Sequence, residues 1–531
     1  MLLIINNLRI PIEQDGERAY LLAASDKMGL VTGQITVHKI LSKTLDLKDP
    51  EQFFYILSLA VSIPDTYSNK QRFAKYVEPV WQYNTITENT DRPIVVGFGP
   101  AGMFAALELL KYGLKPRIFE RGKTIEERSA DVEAFISRRL LNPESNIQFG
   151  EGGAGSYSDG KLFSRRNNNT GIINQVLKTF IKFGAPDEIE FISKPHLGTD
   201  VLCRIVRNIR EYILTRGGEI FFNARMTSLL IAQERVRGVV INEEQEFLSS
   251  RVFIALGHSA RDTFAMLEHK GVLIEQRRIS VGVRIEHPAH IINTMRYGRK
   301  YQNFPGLGAA TYSLNHTDRN KKRGVYTFCM CPGGEIVNAS SVAGRLVLNG
   351  MSYSDRSSPF SNGALVVNCH TTDYGSDEPL AGIAFQETIE KKAFAAGGSN
   401  WTAPAQSLLN FLGEQESNYL QNTSYKMGTV AADMRDIFPR FITDELQIAF
   451  HKWRQQVPSF VSHHAILLAA ETRVTSPVRI MRNEHFQSVN IKNLYPIGEG
   501  AGYAGGITSS AADGIRAVAS CMACEVKKLS G

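Results

Sequence analysis

One segment of thirty residues constrains the fold of this chain more than any other. Residues 93–122 read PIVVGFGPAGMFAALELLKYGLKPRIFERG. Ile94, Val95 and Val96 have the unbroken apolar character of a strand buried on both faces in a parallel sheet. Gly97, Gly99 and Gly102 follow at G-x-G-x-x-G spacing. Pro100 suits the first turn of a helix, where a missing N–H costs nothing. Ala101 and the run Ala105 to Leu110 continue that helix, and Arg117–Phe119 make a second strand ending at Glu120. Gly97 permits the tight turn, Gly99 lets a pyrophosphate approach the backbone, and Gly102 lets helix and strand pack closely. The helix start offers free N–H groups and a positive dipole end to phosphate. Glu120 can accept hydrogen bonds from ribose hydroxyls. Glycines at this spacing alone are weak evidence, but strand, helix, second strand and terminal acid together predict a dinucleotide-binding α/β unit.

The chain has 531 residues, about three and a half domains at roughly 150 residues each. With 43% hydrophobic and 21% charged residues, it is neither collagen-like nor disordered. The net charge of +7 is spread along the chain; the densest basic cluster, Arg319, Lys321, Lys322 and Arg323, reads as a solvated loop. A dedicated nucleic-acid binder is not expected. Six cysteines are too few for a disulfide framework and suit a reducing cytoplasm. The first residues lack signal-peptide character, and no membrane span is expected.

Residues 1–86 read as a separate unit: strands over 2–10, 34–45 and 52–63, and helices over 16–29 and 69–77. This β-α-β-β-α order suggests a small ferredoxin-like α+β domain. Residues 84–92 make a polar linker. Farther on, residues 147–163 read IQFGEGGAGSYSDGKLF. Gly152, Gly153 and Ser156, then Asp159, Gly160 and Lys161, form a loop rich in backbone N–H groups, which favours an anionic cofactor. A strand at 219–222, a short β-meander and a return strand at 252–256 follow. The last glycine cluster, residues 493–518, reads NLYPIGEGAGYAGGITSSAADGIRAV.

This ordered set resembles the two-dinucleotide-binding-domain flavoproteins of the glutathione-reductase structural family. The resemblance implies FAD as cofactor, with the ADP half on the first βαβ unit and on the neighbouring Arg121 and Arg128. It implies a small-residue turn after the return strand, matched by Ala255 and Gly257, and a ribityl contact at Gly498-Glu499, with Glu where Asp is usual. The flavin would lie by Gly505, Gly506 and Ile507. More narrowly, FGEGGAGSYSDGKL, KPHLGTDVL, VGVRIEHP, TFCMCPGGEIVNASS, LNGMSYSDR and GEGAGYAGGITSSAADGIRA are similar to a bacterial family of uncharacterised FAD-dependent dehydrogenases, often labelled NAD(FAD)-utilising. After residue 122 no second G-x-G-x-x-G directly follows a strand. Any NAD(P)H would therefore bind transiently as a co-substrate.

Candidate chemistry lies outside the glycine loops. Cys329 and Cys331 form a C-x-C that would place both thiols on one side of a flat strand, as a redox pair or nucleophile, or as small buried hydrophobes. Arg284 could hold a substrate carboxylate or an internal salt bridge, and His287 could face substrate or pack structurally. His196 precedes Thr199 and Asp200, expected as helix N-caps. Cys521 and Cys524 lack further ligands in sequence, and no metal site is expected.

The expected architecture is α/β: a Rossmann-like FAD-binding domain over 92–280 and 490–531, with a β-rich substrate domain inserted at 281–489. The expected function is an FAD-dependent oxidoreductase exchanging a hydride between flavin N5 and an organic small molecule. A nicotinamide or protein electron donor could complete the cycle. The alternatives are a flavin monooxygenase, or an electron carrier or redox sensor docking a partner through the N-terminal unit.

Overall fold

The computed structural model describes residues 1–78, 91–162, 170–416 and 419–529. The expected linker thus lies outside the described residues except for Asp91 and Arg92.

The N-terminal strands Leu2–Pro11, Thr36–Asp46 and Phe54–Ser62 form an antiparallel sheet with the last strand central. Alternation puts Leu57, Leu59 and Val61 on the face covered by Tyr20, Ala24 and Met28 of the Glu17–Met28 helix. That helix stops at Gly29, whose φ of 68° places it in the left-handed region. The expected second helix over 69–77 is absent. Pro64 and Asn69 favour turns: the Asn69 side chain both donates to Phe73 O and accepts from Phe73 N. Residues 74–76 instead lie along the first strand, with Ile4 N bonded to Ala74 O and Tyr76 N to Leu2 O.

A five-stranded parallel sheet follows, in the order Leu494–Pro496, Val252–Ile254, Ile94–Val96, Arg117–Phe119 and Glu219–Phe221. It is buried on both faces. Val95, Ile118 and Phe253 point into a core shared with the helices Pro100–Lys111, Thr170–Lys182, Thr199–Thr215 and Ile507–Leu529. Ile94, Val96 and Phe119 point to the opposite core, closed by the meander strands Met226–Ala232 and Arg235–Ile241 and the helix Arg261–His269. Continuous apolar runs are what such double burial requires.

The chain then builds a seven-stranded mixed sheet. Its centre is Arg323–Cys331, Phe360–Cys369, Ile279–Pro288 and Ile466–Glu471, side by side in that order. Ala381–Ala396 and Arg440–Gln456 contribute helical cover. A short ribbon, Glu335–Asn338 with Leu348–Met351, lies against it. No helix among the described residues is long and apolar enough to cross a membrane.

Candidate functional site

All strands of a parallel sheet end at one edge, so the turns after three of them meet. Gly97 follows the central strand, Gly257 the next, and Gly498 and Gly500 the outermost. The turns touch closely: a Cβ on Gly97 would lie 2.3 Å from Ala255 O, and one on Gly500 would lie 2.4 Å from Gly257 O. A Cβ on Gly102 would meet Gly97 O at 1.9 Å. Gly99 is the N-cap of the Pro100–Lys111 helix, and no side chain caps it. Gly153 lies against Gly99: a Cβ on Gly153 would sit 3.0 Å from the Gly99 Cα. The 147–163 loop is thereby folded over the helix start, and Gly152 N donates to Phe98 O at 2.9 Å. Ser156 Oγ is buried there without a hydrogen-bond partner. Ile507, opening the C-terminal helix, packs against Gly155. Gly505 and Gly506 just before it face open space.

Two side chains organise this cradle. Glu120 accepts from Phe98 N at 2.8 Å, Gly122 N at 2.9 Å and Gly150 N at 3.0 Å. It ties three backbone turns together, with part of one oxygen's capacity left for a ribose hydroxyl. Arg128 is fully buried and donates to the carbonyls of Asn146, Ile147, Gly150 and Glu151, so it shapes the loop from behind. Arg121 is bidentate to Glu144 and Asp262 and lies over the Phe149 ring.

Above the cradle, the loop is bonded to the seven-stranded sheet. Buried Asp159 accepts from Lys161 at 2.7 Å, Arg356 at 2.8 Å, and Ser352. Lys161 also donates to Met330 O. Charge from Lys161 and Arg356 holds the Asp159 carboxyl below its usual range against burial. His196 pairs through its backbone with Lys161, and burial lowers its imidazole to about 4. The adjoining helix is capped by Gly198, not by Thr199 or Asp200. Asp200 instead accepts from Ser354 N and Oγ at 2.9 and 2.7 Å.

Arg284 is buried, and both of its terminal nitrogens bond within the protein, while its Nε has no partner. It donates to Glu471 at 3.2 Å, Cys329 O at 3.2 Å, Asn362 and, at 3.7 Å, Cys331 Sγ. The internal ion pair is therefore the observed use of this arginine. His287 is buried, bonds Phe460 O at 2.8 Å and packs on the Phe460 ring, a structural role. Cys329 and Cys331 do not lie on a flat strand. The register with Phe360–Cys369 shifts between Phe328 and Cys331, and Cys329 has a φ of 40°. This bulge leaves Cys329 partly accessible while Cys331 is buried.

Cys329, Lys161, Glu499 and His258 each keep part of their surface accessible. Glu499 is raised to about 7, chiefly by burial, against hydrogen bonding from the Gly506 backbone. Asp513, not singled out from sequence, accepts Gly498 N at 2.8 Å and a bidentate Arg482. A second network missed in the sequence joins cradle to sheet. Glu390 accepts from Arg261, Arg473 and Thr472, Arg473 also reaches Ser259 and Ser341, and Ser259 donates to Gln148. Its members are scattered over more than two hundred residues, and no spacing signals them. Among the described residues no group of three or more metal-ligating side chains converges. The Cys524 side chain lies outside the described part.

Residues 278–474 match the family described as FAD-dependent protein, C-terminal domain-like. A protein of Clostridium beijerinckii (strain ATCC 51743 / NCIMB 8052), described as "Uncharacterized protein", is 42% identical over 445 residues, 83% of each chain. The chain belongs to this family of FAD-dependent proteins. FAD is its cofactor. The glycine-lined cradle, the uncapped helix start and the orphaned Ser156 hydroxyl fit a bound dinucleotide. Among solved structures, CtdE in complex with FAD covers 82% of this chain and 84% of its own, at 10% identity and a TM-score of 0.31. Halogenase PltM in complex with phloroglucinol and FAD covers 83% and 71%, at 9% identity and a TM-score of 0.38. Likeness at that level carries no further argument about the family's reaction.

Proposed function

We propose that this flavoprotein is an FAD-dependent oxidoreductase, a dehydrogenase or reductase, that exchanges a hydride with a flat, anionic organic substrate. The observation that supports this reading is the glycine-lined cradle, whose loop is bonded through Lys161 to the bulge that carries Cys329. When bound, FAD supplies two-electron chemistry at its N5 atom. The protein's own residues then have distinct tasks. The cradle backbone holds the dinucleotide, Glu120 fixes the turns, and Arg128 braces the loop. Lys161 and Arg356 share the single carboxylate of Asp159, so the site carries positive charge toward an anion. Arg284 positions the bulge by holding Cys329 O and Glu471. NAD(P)H would enter transiently, because the one parallel sheet among the described residues is committed to FAD.

The test uses FAD-loaded full-length protein under anaerobic conditions. Flat carboxylated donors and reduced nicotinamides are offered while the visible flavin band is followed. Bleaching by an organic donor, without oxygen, is expected. The proposal fails if no donor bleaches the flavin, or if turnover consumes oxygen in step with a hydroxylated product.

A further inference from the structure

The C-x-C of the bulge is the cluster that hydride exchange leaves unused. A flat strand would hold Cys329 and Cys331 on one side but fix their separation, and disulfide geometry is demanding. The observed backbone departs from that strand at this point. Two residues are displaced from the ladder between Phe328 and Cys331, and Cys329 takes a positive φ of 40°. A non-glycine residue in this region is strained and persists only where its surroundings enforce it. Here they do: Arg284 grips Cys329 O, and Lys161 grips Met330 O.

The bulge folds Cys331 back on its neighbour, so that its thiol donates to the Cys329 carbonyl rather than standing off along a flat strand. Cys331 is buried and lies 3.4 Å from Cys329 O, with Arg284 at 3.7 Å from its sulfur. Cys329 keeps accessible surface. Hydrogen bonding from Cys331 favours the Cys329 thiolate, with added support from Lys161 and Arg284 against burial; Cys331 is pushed the other way. The Cys329 charge is felt by Glu499, beside the Gly505–Gly506 turn. Lys161, bonded to Met330 O between the two cysteines, sets the pair against the cradle loop.

We infer that Cys329 and Cys331 are a redox pair that exchanges two electrons with the flavin, cycling between dithiol and disulfide. The inference rests on the proposed oxidoreductase reading and adds a second two-electron store to it. In the forward step the Cys331 S–H bond breaks and a Cys329–Cys331 S–S bond forms. Two electrons and the one Cys331 proton pass to oxidised FAD, which becomes the anionic reduced flavin. Thiolate plus thiol plus FAD thus balances disulfide plus FADH⁻. The reverse step regenerates the thiols. Cys329 is the partly accessible cysteine, and Cys331 is its buried partner.

Anaerobic dithionite titration of air-oxidised, FAD-loaded protein tests this, with cysteine alkylation mapped by mass spectrometry. Wild type is expected to take up about four electrons per flavin and Cys331→Ser about two, because the thiol–disulfide couple carries two electrons. Cys329 and Cys331 should resist alkylation in denatured oxidised protein and accept it after reduction. Uptake of two electrons per flavin by wild type, with both cysteines alkylated before reduction, would overturn the inference. The wild-type count decides the matter even if the serine variant folds poorly. Four-electron uptake with no bleaching by any organic donor would instead sink the hydride-exchange reading and leave the redox pair standing.

Discussion

The cradle and the sheet above it solve different problems with different materials. The cradle is built from backbone: glycines stand where turns touch, and its ligand groups are N–H donors and a helix start. The sheet side is built from side chains: Asp159, Lys161, Arg356, Arg284, Glu471 and two cysteines, brought together from strands far apart in sequence. A backbone site tolerates no added atom where its turns touch, but little there depends on charge. A side-chain site tolerates small changes of volume but depends on every ion pair being complete. Substitutions should therefore fail for opposite reasons in the two regions.

The largest effect is expected at Gly102. Its Cβ would overlap Gly97 O at 1.9 Å, and neither backbone atom can move without opening the first turn. Gly102→Val should yield protein that purifies without visible flavin absorbance, with thermal unfolding well below wild type. Overpacking of this kind typically costs about 1–3 kcal/mol or more. A variant that retains full flavin would contradict the close-packed turn.

Glu390 tests the other region, at its seam with the cradle. Glu390→Gln leaves Arg261 and Arg473 buried without their carboxylate, and removing one partner of a buried pair costs about 3–5 kcal/mol. Urea unfolding should show that loss at neutral pH. The Arg473 and Arg261 charges lower the Glu390 carboxyl to about 2 against burial. A depressed acid contributes stability above its unfolded value, near 4.3, and loses it as pH falls toward 2. The wild-type advantage over the glutamine variant should therefore shrink through that acid window. An advantage unchanged down to pH 2 would rule out the ionised clamp.

This contrast also explains what could be read from sequence. Gly97, Gly99, Gly102 and Glu120 are local, and their spacing reports the strand–turn–helix geometry directly. The return strand and the final glycine cluster were legible for the same reason. The side-chain region was not. Arg284 could have held a substrate or a carboxylate, and only the register that sets Gly282 beside Glu471 decides between them. The bulge at Cys329 has no glycine to announce it. Asp200 looks like a cap, yet it serves Ser354 more than a hundred residues away. In the N-terminal unit, strand alternation marked three strands well. The second helix failed because turn-forming residues outweighed a short apolar pattern.

A milder effect with the opposite pH sign is expected at Glu286. Burial raises its carboxyl to about 7, although Ser424 N donates to it at 2.8 Å. A raised acid contributes stability below its unfolded value and loses it as pH climbs through the folded one. Glu286→Gln should match wild type near pH 5 and exceed it at pH 8 by about 1–3 kcal/mol, the scale of the charging cost it removes. Loss of stability at both pH values would show that the Ser424 contacts outweigh that cost.

The smallest effect on folding should come from within the cradle itself, at Gly505. An added Cβ there meets nothing within 4 Å, unlike those at Gly97, Gly102 or Gly500. No protein atom crowds this glycine, so an added methyl group would cost the fold little. Gly505→Ala should leave the apoprotein's urea midpoint within about 0.5 kcal/mol of wild type, the usual range for a surface change. Flavin binding should still weaken, because the methyl group enters the volume beside the start of the Ile507–Leu529 helix. Fluorescence titration of apoprotein with FAD measures that loss. Unchanged FAD affinity would place the flavin elsewhere along the cradle, and a large fall in apoprotein stability would mean that the turn is packed by protein after all.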